Sequence, residues 1–219
     1  MHTHVTFVLD SSGSMSTIED DTKGGFNAFL DDQRDEAGTA TVSLYDFNTD
    51  VERVYQQYPI EDAPRLDDHN YTPGGQTALH DALYTAMTET ADQVTATAED
   101  ERPDTVIVVV LTDGKENASE TPQERVREQV RYRRDELGWE FLFIGANQDA
   151  ALTATEMGMD ADRSLNMDQS GDGARAAYES TSNRISEARE CGVTGEFTAE
   201  DRARQEDAGD DIQSSGTRT

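Results

Sequence analysis

Cysteine is almost missing from this chain of 219 residues: Cys191 stands alone. No disulfide can form within the chain, so nothing calls for an oxidising compartment. Lysine is nearly as rare, since Lys23 and Lys115 are the only two and every other basic residue is arginine. Basic charge of any kind is scarce, with 18 Lys plus Arg against 46 Asp plus Glu and a formal net charge of -28. The acidic excess runs along the whole chain, which excludes nucleic acid as an expected partner, because phosphate backbones reward clustered cations. No apolar run approaches the roughly 20 residues of a membrane span, and the opening MHTHVTFVLD has no basic segment followed by a long apolar one. Neither a signal peptide nor a span is expected, and the cytoplasm is the expected location. The GxSxG nucleophile turn and the phosphate-cradling GxxxxGK are also missing, which removes two common catalytic machineries.

What is present is enough chain for one domain of ordinary size with a sizeable core. The arginine-biased, strongly acidic surface resembles that of proteins from salt-loving microbes. Self-repulsion of this strength opposes compaction unless salt screens it, and the protein is expected to unfold when salt is removed. Apolar strands such as Val106 to Leu111 argue against an acidic disordered chain.

Periodicity alternates strands with helices, predicting an α/β fold: a doubly wound, Rossmann-like open sheet, mostly parallel, with helices on both faces. Strands are expected at His4 to Leu9, Asp104 to Leu111, Trp139 to Ile144 and Ser164 to Met167. Thr41 to Phe47 and Val51 to Tyr55, joined by Asn48-Thr49-Asp50, read as a hairpin that contributes one antiparallel strand. Helices are expected over Thr17 to Gln33 (weakened by Gly24-Gly25), Thr77 to Val94, Pro122 to Leu137, Ala150 to Met157 and Gly173 to Arg189. Residues 1–191 form the expected domain. Residues 192–219 read as a polar, flexible tail, with a short helix from Thr198 where Thr-x-x-Asp forms a weak capping box.

Three polar stretches follow strands or loops: Asp10-Ser11-Ser12-Gly13-Ser14, Gly74-Gly75-Gln76-Thr77 and Thr112-Asp113-Gly114. In open parallel sheets, ligands bind beyond the carboxyl ends of the strands where strand order reverses. If the first strand lies beside Val106 to Leu111, Asp10 and Asp113 meet there, and the alternate spacing of Asp10, Ser12 and Ser14 turns their oxygens toward one point. Two carboxylates with several hydroxyls make a hard, all-oxygen site suited to Mg²⁺ and open to Mn²⁺ or Ca²⁺. No His or Cys stands at ligand spacing nearby, which disfavours zinc. Each stretch also has a plainer reading: DSSGS as a helix cap, Thr77 as the N-cap of its own helix, Asp113 as a turn acid.

Taken together, Asp10-x-Ser12-x-Ser14, Thr77 in GGxTAL and Asp113 in TDG resemble the metal-ion-dependent adhesion site of the von Willebrand factor type A (vWA) domain, over roughly His2 to Arg189. The resemblance implies a sheet of order 3-2-1-4-5-6 with the hairpin strand antiparallel at the edge. It also implies that Ser12, Ser14 and Thr77 ligate the ion directly or through water, while Asp10 and Asp113 act mostly through bound waters. A partner's Glu or Asp would supply the last ligand, making the site a docking point and not a catalyst. Such domains serve in adhesion, in ATPase or chaperone-like assemblies, in stress-response modules and in metal insertion, and in relatives the final helix can shift when the site fills. The enzyme alternative is a Mg²⁺-dependent phosphohydrolase using Asp10 as nucleophile. Such enzymes commonly carry a second acid two residues on, where this chain has Ser12.

Overall fold

The computed structural model describes residues 1–146 and 149–215. Its sheet has six strands: β1 (His2–Asp10), β2 (Thr39–Phe47), β3 (Val51–Pro59), β4 (Thr105–Thr112), β5 (Glu140–Ala146) and β6 (Ser164–Met167). Their order is β3-β2-β1-β4-β5-β6. Every neighbouring pair is parallel except β2 with β3, as the sequence reading expects. Six α-helices complete the fold: α1 (Glu19–Asp35), α2 (Leu79–Ala96), α3 (Gln123–Leu137), α4 (Ala150–Glu156), α5 (Gly171–Cys191) and α6 (Ala199–Ser215).

The central strands are apolar on both sides because both faces are covered, and β4 is buried at every position. Alternation along the strands sorts the core into two halves. Val5, Phe7, Leu9, Val109 and Leu111 face α1 and α5, whereas Val8, Val106, Val108 and Val110 face α2 and α3. On the first face Phe7 meets Phe26 and Phe29 of α1 with ring centroids 5.2 and 4.8 Å apart. On the other, Leu79, Leu83 and Met87 of α2 join Val126 and Val130 of α3. The 3.6-residue stripe of each helix thus meets the period-two stripe of the sheet.

Several boundaries depart from the sequence reading for local reasons. Strand β3 runs on to Pro59 through an irregular register opposite Ser43. There Gln57 takes a φ of 53°, and its N–H donates to Ser43 Oγ at 2.9 Å. Helix α5 starts at Gly171 because Ser170 caps it, its hydroxyl accepting from Gly173 N at 3.0 Å. The segment after Gly192 holds a helix of 17 residues, α6. Its start is the reciprocal box expected there: Thr198 N–H donates to Asp201 Oδ2 at 2.8 Å, and Asp201 N–H to Thr198 Oγ1 at 3.1 Å. Gln205 fastens α6 to the body, accepting from Asp168 N and donating to Gly173 O, while Phe197 and Ala208 are buried.

Candidate metal centre

Strand order reverses between β1 and β4: the chain leaves β1 for β2 on one side and reaches β4 on the other. The register pairs Leu9 with Leu111, so the strand ends Asp10 and Thr112 emerge side by side in the crevice that this reversal opens. Thr112 donates its hydroxyl to Asp10 Oδ2 at 2.5 Å, and Ser12 N–H donates to Asp10 Oδ1 at 2.6 Å. Tyr71, itself buried, donates its hydroxyl to Asp10 O at 2.7 Å. Burial raises the Asp10 pKa above the ordinary carboxylate value; its hydrogen bonds to Thr112 and Ser12 oppose that rise, and the nearby Asp113 carboxylate adds to it.

The other two stretches arrive on loops stitched to the first. Gly13 N–H donates to Gly75 O at 3.2 Å and Gly74 N–H to Ser11 O at 2.7 Å, which holds GGQT against DSSGS. Gly75 turns with a φ of +77°, a conformation natural to glycine. Thr77 is fixed from the far side, its N–H donating to Asn117 Oδ1 at 2.9 Å and its carbonyl accepting from Asn117 N at 3.0 Å. Thr77 does not cap α2, whose N-cap is Ala78 without a side-chain cap. Its hydroxyl is therefore not committed to capping that helix.

That hydroxyl lies in a small oxygen-lined space. A Cβ placed on Gly114 would stand 2.6 Å from Thr77 Oγ1, 3.3 Å from Asp10 Oδ2 and 3.3 Å from Ser12 Oγ. Three oxygens from two of the stretches thus close on one point that the glycine of the third leaves open. Ser14 extends the group: Ser12 Oγ and Ser14 Oγ are 3.1 Å apart, and Ser14 donates to Asp113 Oδ1 at 2.5 Å. Asp10, Ser12, Thr77 and Asp113 are buried, while Ser14 is exposed at the mouth. The five residues singled out in the sequence are all brought together, and the donors are oxygen only, which fits a hard divalent cation.

Four contributors escape a reading of the sequence. Thr112 and Gly114 flank Asp113, and their roles follow only from the register of β4 on β1. Tyr71 sits among the prolines of a loop with no periodic signal. Gln169, exposed in the β6–α5 connection, donates its amide to Asp113 Oδ2 at 2.8 Å, and nothing in its neighbourhood marks it. The phosphohydrolase geometry is not favoured, because Asp10 is fully buried and both of its carboxylate oxygens accept hydrogen bonds, whereas a nucleophile needs an open approach.

The family model of the von Willebrand factor type A domain matches residues 4–184. Solved structures of the same fold include a pilus adhesin, SpaC, from Lactobacillus rhamnosus GG (TM-score 0.65, 13% identity, covering 84% of this chain and 30% of that one). A second is proximal thread matrix protein 1 from the mussel byssus with a zinc-occupied MIDAS motif (TM-score 0.61, 17% identity, 84% and 46%). A third is a von Willebrand factor type A protein from Catenulispora acidiphila (TM-score 0.55, 17% identity, 83% and 42%). This chain spans less than half the length of each. No curated protein matches it in sequence.

Proposed function

The chain belongs to the von Willebrand factor type A domain family, and from that premise we propose that it is a metal-dependent protein-interaction module. In this reading Asp10, Ser12, Ser14, Thr77 and Asp113 hold Mg²⁺, and the ion takes a Glu or Asp carboxylate from a partner protein. The observation that carries it is the closure of Thr77 Oγ1, Asp10 Oδ2 and Ser12 Oγ on one point beside Gly114. Two carboxylates neutralise a divalent ion and the hydroxyls add no charge, so the ion keeps an appetite for one more anionic oxygen. An octahedral Mg²⁺ holds such a position readily, and Mn²⁺ or Ca²⁺ are the natural substitutes. The zinc in the mussel protein's motif supports a divalent ion in general; the all-oxygen donor set here favours magnesium over zinc.

The domain works by docking and not by turnover, and an ATPase or chaperone-like assembly is the partner class in view, in a cytoplasmic setting. Among the described residues no helix is long and apolar enough to cross a membrane. The reading is tested by capture from native cytosol at high salt on the immobilised protein. A partner should be held with Mg²⁺, released by chelator, and never held by Asp113→Ala. Capture that ignores both chelator and mutation contradicts the proposal. So does Mg²⁺-dependent hydrolysis of an aryl phosphate that disappears in Asp10→Asn.

A further inference from the structure

We propose that the groove beside the metal centre is the second half of the docking surface, and that it selects a partner segment in which the metal-binding acid is neighboured by a large apolar side chain. This rests on the metal-docking reading above. The groove, about 480 Å³, runs between the start of α2, the β4–α3 loop and α4. Its lining includes Leu79, two residues past Thr77, and Lys115, two residues past Asp113, so it starts on the same two loops as the site.

Charge identifies what it accepts. Of the two lysines, Lys23 is held by Glu19, Asp20 and Asp68. Lys115 is exposed and makes no ion pair among the described residues, in a molecule of net charge -28. The carboxylates along the groove are already engaged by the protein's own donors. Glu116 accepts from His80 N, Ala118 N, Ser119 N and Ser119 Oγ; Asp149 caps α4; Glu156 accepts from Gln123. The exposed ammonium of Lys115 is the charge an incoming carboxylate meets on its way to the ion, and such steering acts mainly on the association rate.

Beyond Lys115 the groove turns apolar. Met157 and Leu79 are buried at its base, and Leu152 is 56% exposed at its wall. Leu152 adds an exposed apolar wall to that base, against which a partner's apolar side chain can be buried. A polyacidic tract fits poorly, since Glu116, Asp149 and Glu156 repel it; one acid followed by an apolar residue fits both ends.

The test is selection from a random dodecapeptide phage library with Mg²⁺, eluting with chelator, followed by titration of the enriched synthetic peptides. Peptides pairing Asp or Glu with an adjacent Leu, Ile, Met or aromatic residue should emerge. Leu152→Asp should weaken them about tenfold or more, and Lys115→Glu should slow association and change its salt dependence. Both positions are exposed, and melting curves matching wild type establish that the variants fold. Peptides that need Mg²⁺ and Asp113 but bind both groove variants as wild type overturn the groove while leaving the metal reading intact. If no peptide elutes with chelator, the metal-docking reading fails, and the groove proposal with it.

Discussion

His4 shows how a single side chain in the core ties stability to pH. It is buried among hydroxyls, with Nδ1 2.8 Å from Thr41 Oγ1 and Nε2 3.2 and 3.3 Å from Thr6 Oγ1 and Ser43 Oγ. Burial, aided by His2, lowers its pKa from 6.5 to about 4. Between those values the unfolded chain binds a proton that the folded protein refuses, so stability falls as pH drops from 6.5 toward 4, by about 3 kcal/mol in all. Asp46 pulls the opposite way over an overlapping range. Its pKa is raised to about 6, chiefly by burial, so the folded state holds the extra proton and loses stability as pH rises from near 4 to 6. The His4 effect is therefore read as a difference: urea melts of wild type and His4→Gln should converge as the solution is acidified from pH 6.5 to 4. A difference independent of pH contradicts the assignment. At this scale the candidate site was largely legible, because Asp10, Ser12, Ser14, Thr77 and Asp113 are chemically conspicuous at fixed spacing. Gln169 and Tyr71 were not, since their contacts depend on where distant loops lie and not on any local pattern.

Helix α1 carries two adjacent glycines, Gly24 and Gly25, which in the sequence only weaken the expectation of a helix. In the fold they differ. A Cβ on Gly25 would run into the ring of Tyr178 on α5, whereas one on Gly24 would meet nothing within 4 Å. Gly25 thus lets α5 lie close on α1, where Tyr178 also stacks edge-on to Phe26 at 6.4 Å. Gly24→Ala should stabilise by up to about 1 kcal/mol through helix propensity, and Gly25→Ala should cost about 1–3 kcal/mol by overpacking. Denaturant melts that move the two variants in the same direction would count against this account of the α1–α5 contact. The strands and helices themselves were legible from their two periodicities. The extent of α6 was not, because its sequence is polar nearly throughout and its attachment rests on particular partners such as Gln205 with Asp168 and Gly173.

For the whole molecule, the net charge of -28 sets the conditions under which everything else is measured. Its carboxylates repel one another over a Debye length of roughly 10 Å at 0.1 M salt but only about 3 Å at 1 M. Transferring the protein from molar to millimolar KCl should lower its melting temperature steeply, and an unchanged melt would remove the salt-adapted reading of this surface. Order of strands, switch point and site belong to the same scale: β1 and β4 must be neighbours for Asp10 and Asp113 to share a crevice. The central claim is that this crevice holds a divalent ion, and it is tested most directly by melting wild type, Asp113→Ala and Gly114→Ala with and without Mg²⁺ at one fixed, high ionic strength. At an ion concentration a hundredfold above the dissociation constant, wild type should gain about 2.7 kcal/mol, a rise of roughly 5–10 °C for a domain of this size. Asp113→Ala loses a carboxylate of the site, and Gly114→Ala fills the space beside Thr77 Oγ1 with a methyl group, so neither should respond to the ion. An equal response to Mg²⁺ in all three proteins would contradict the account.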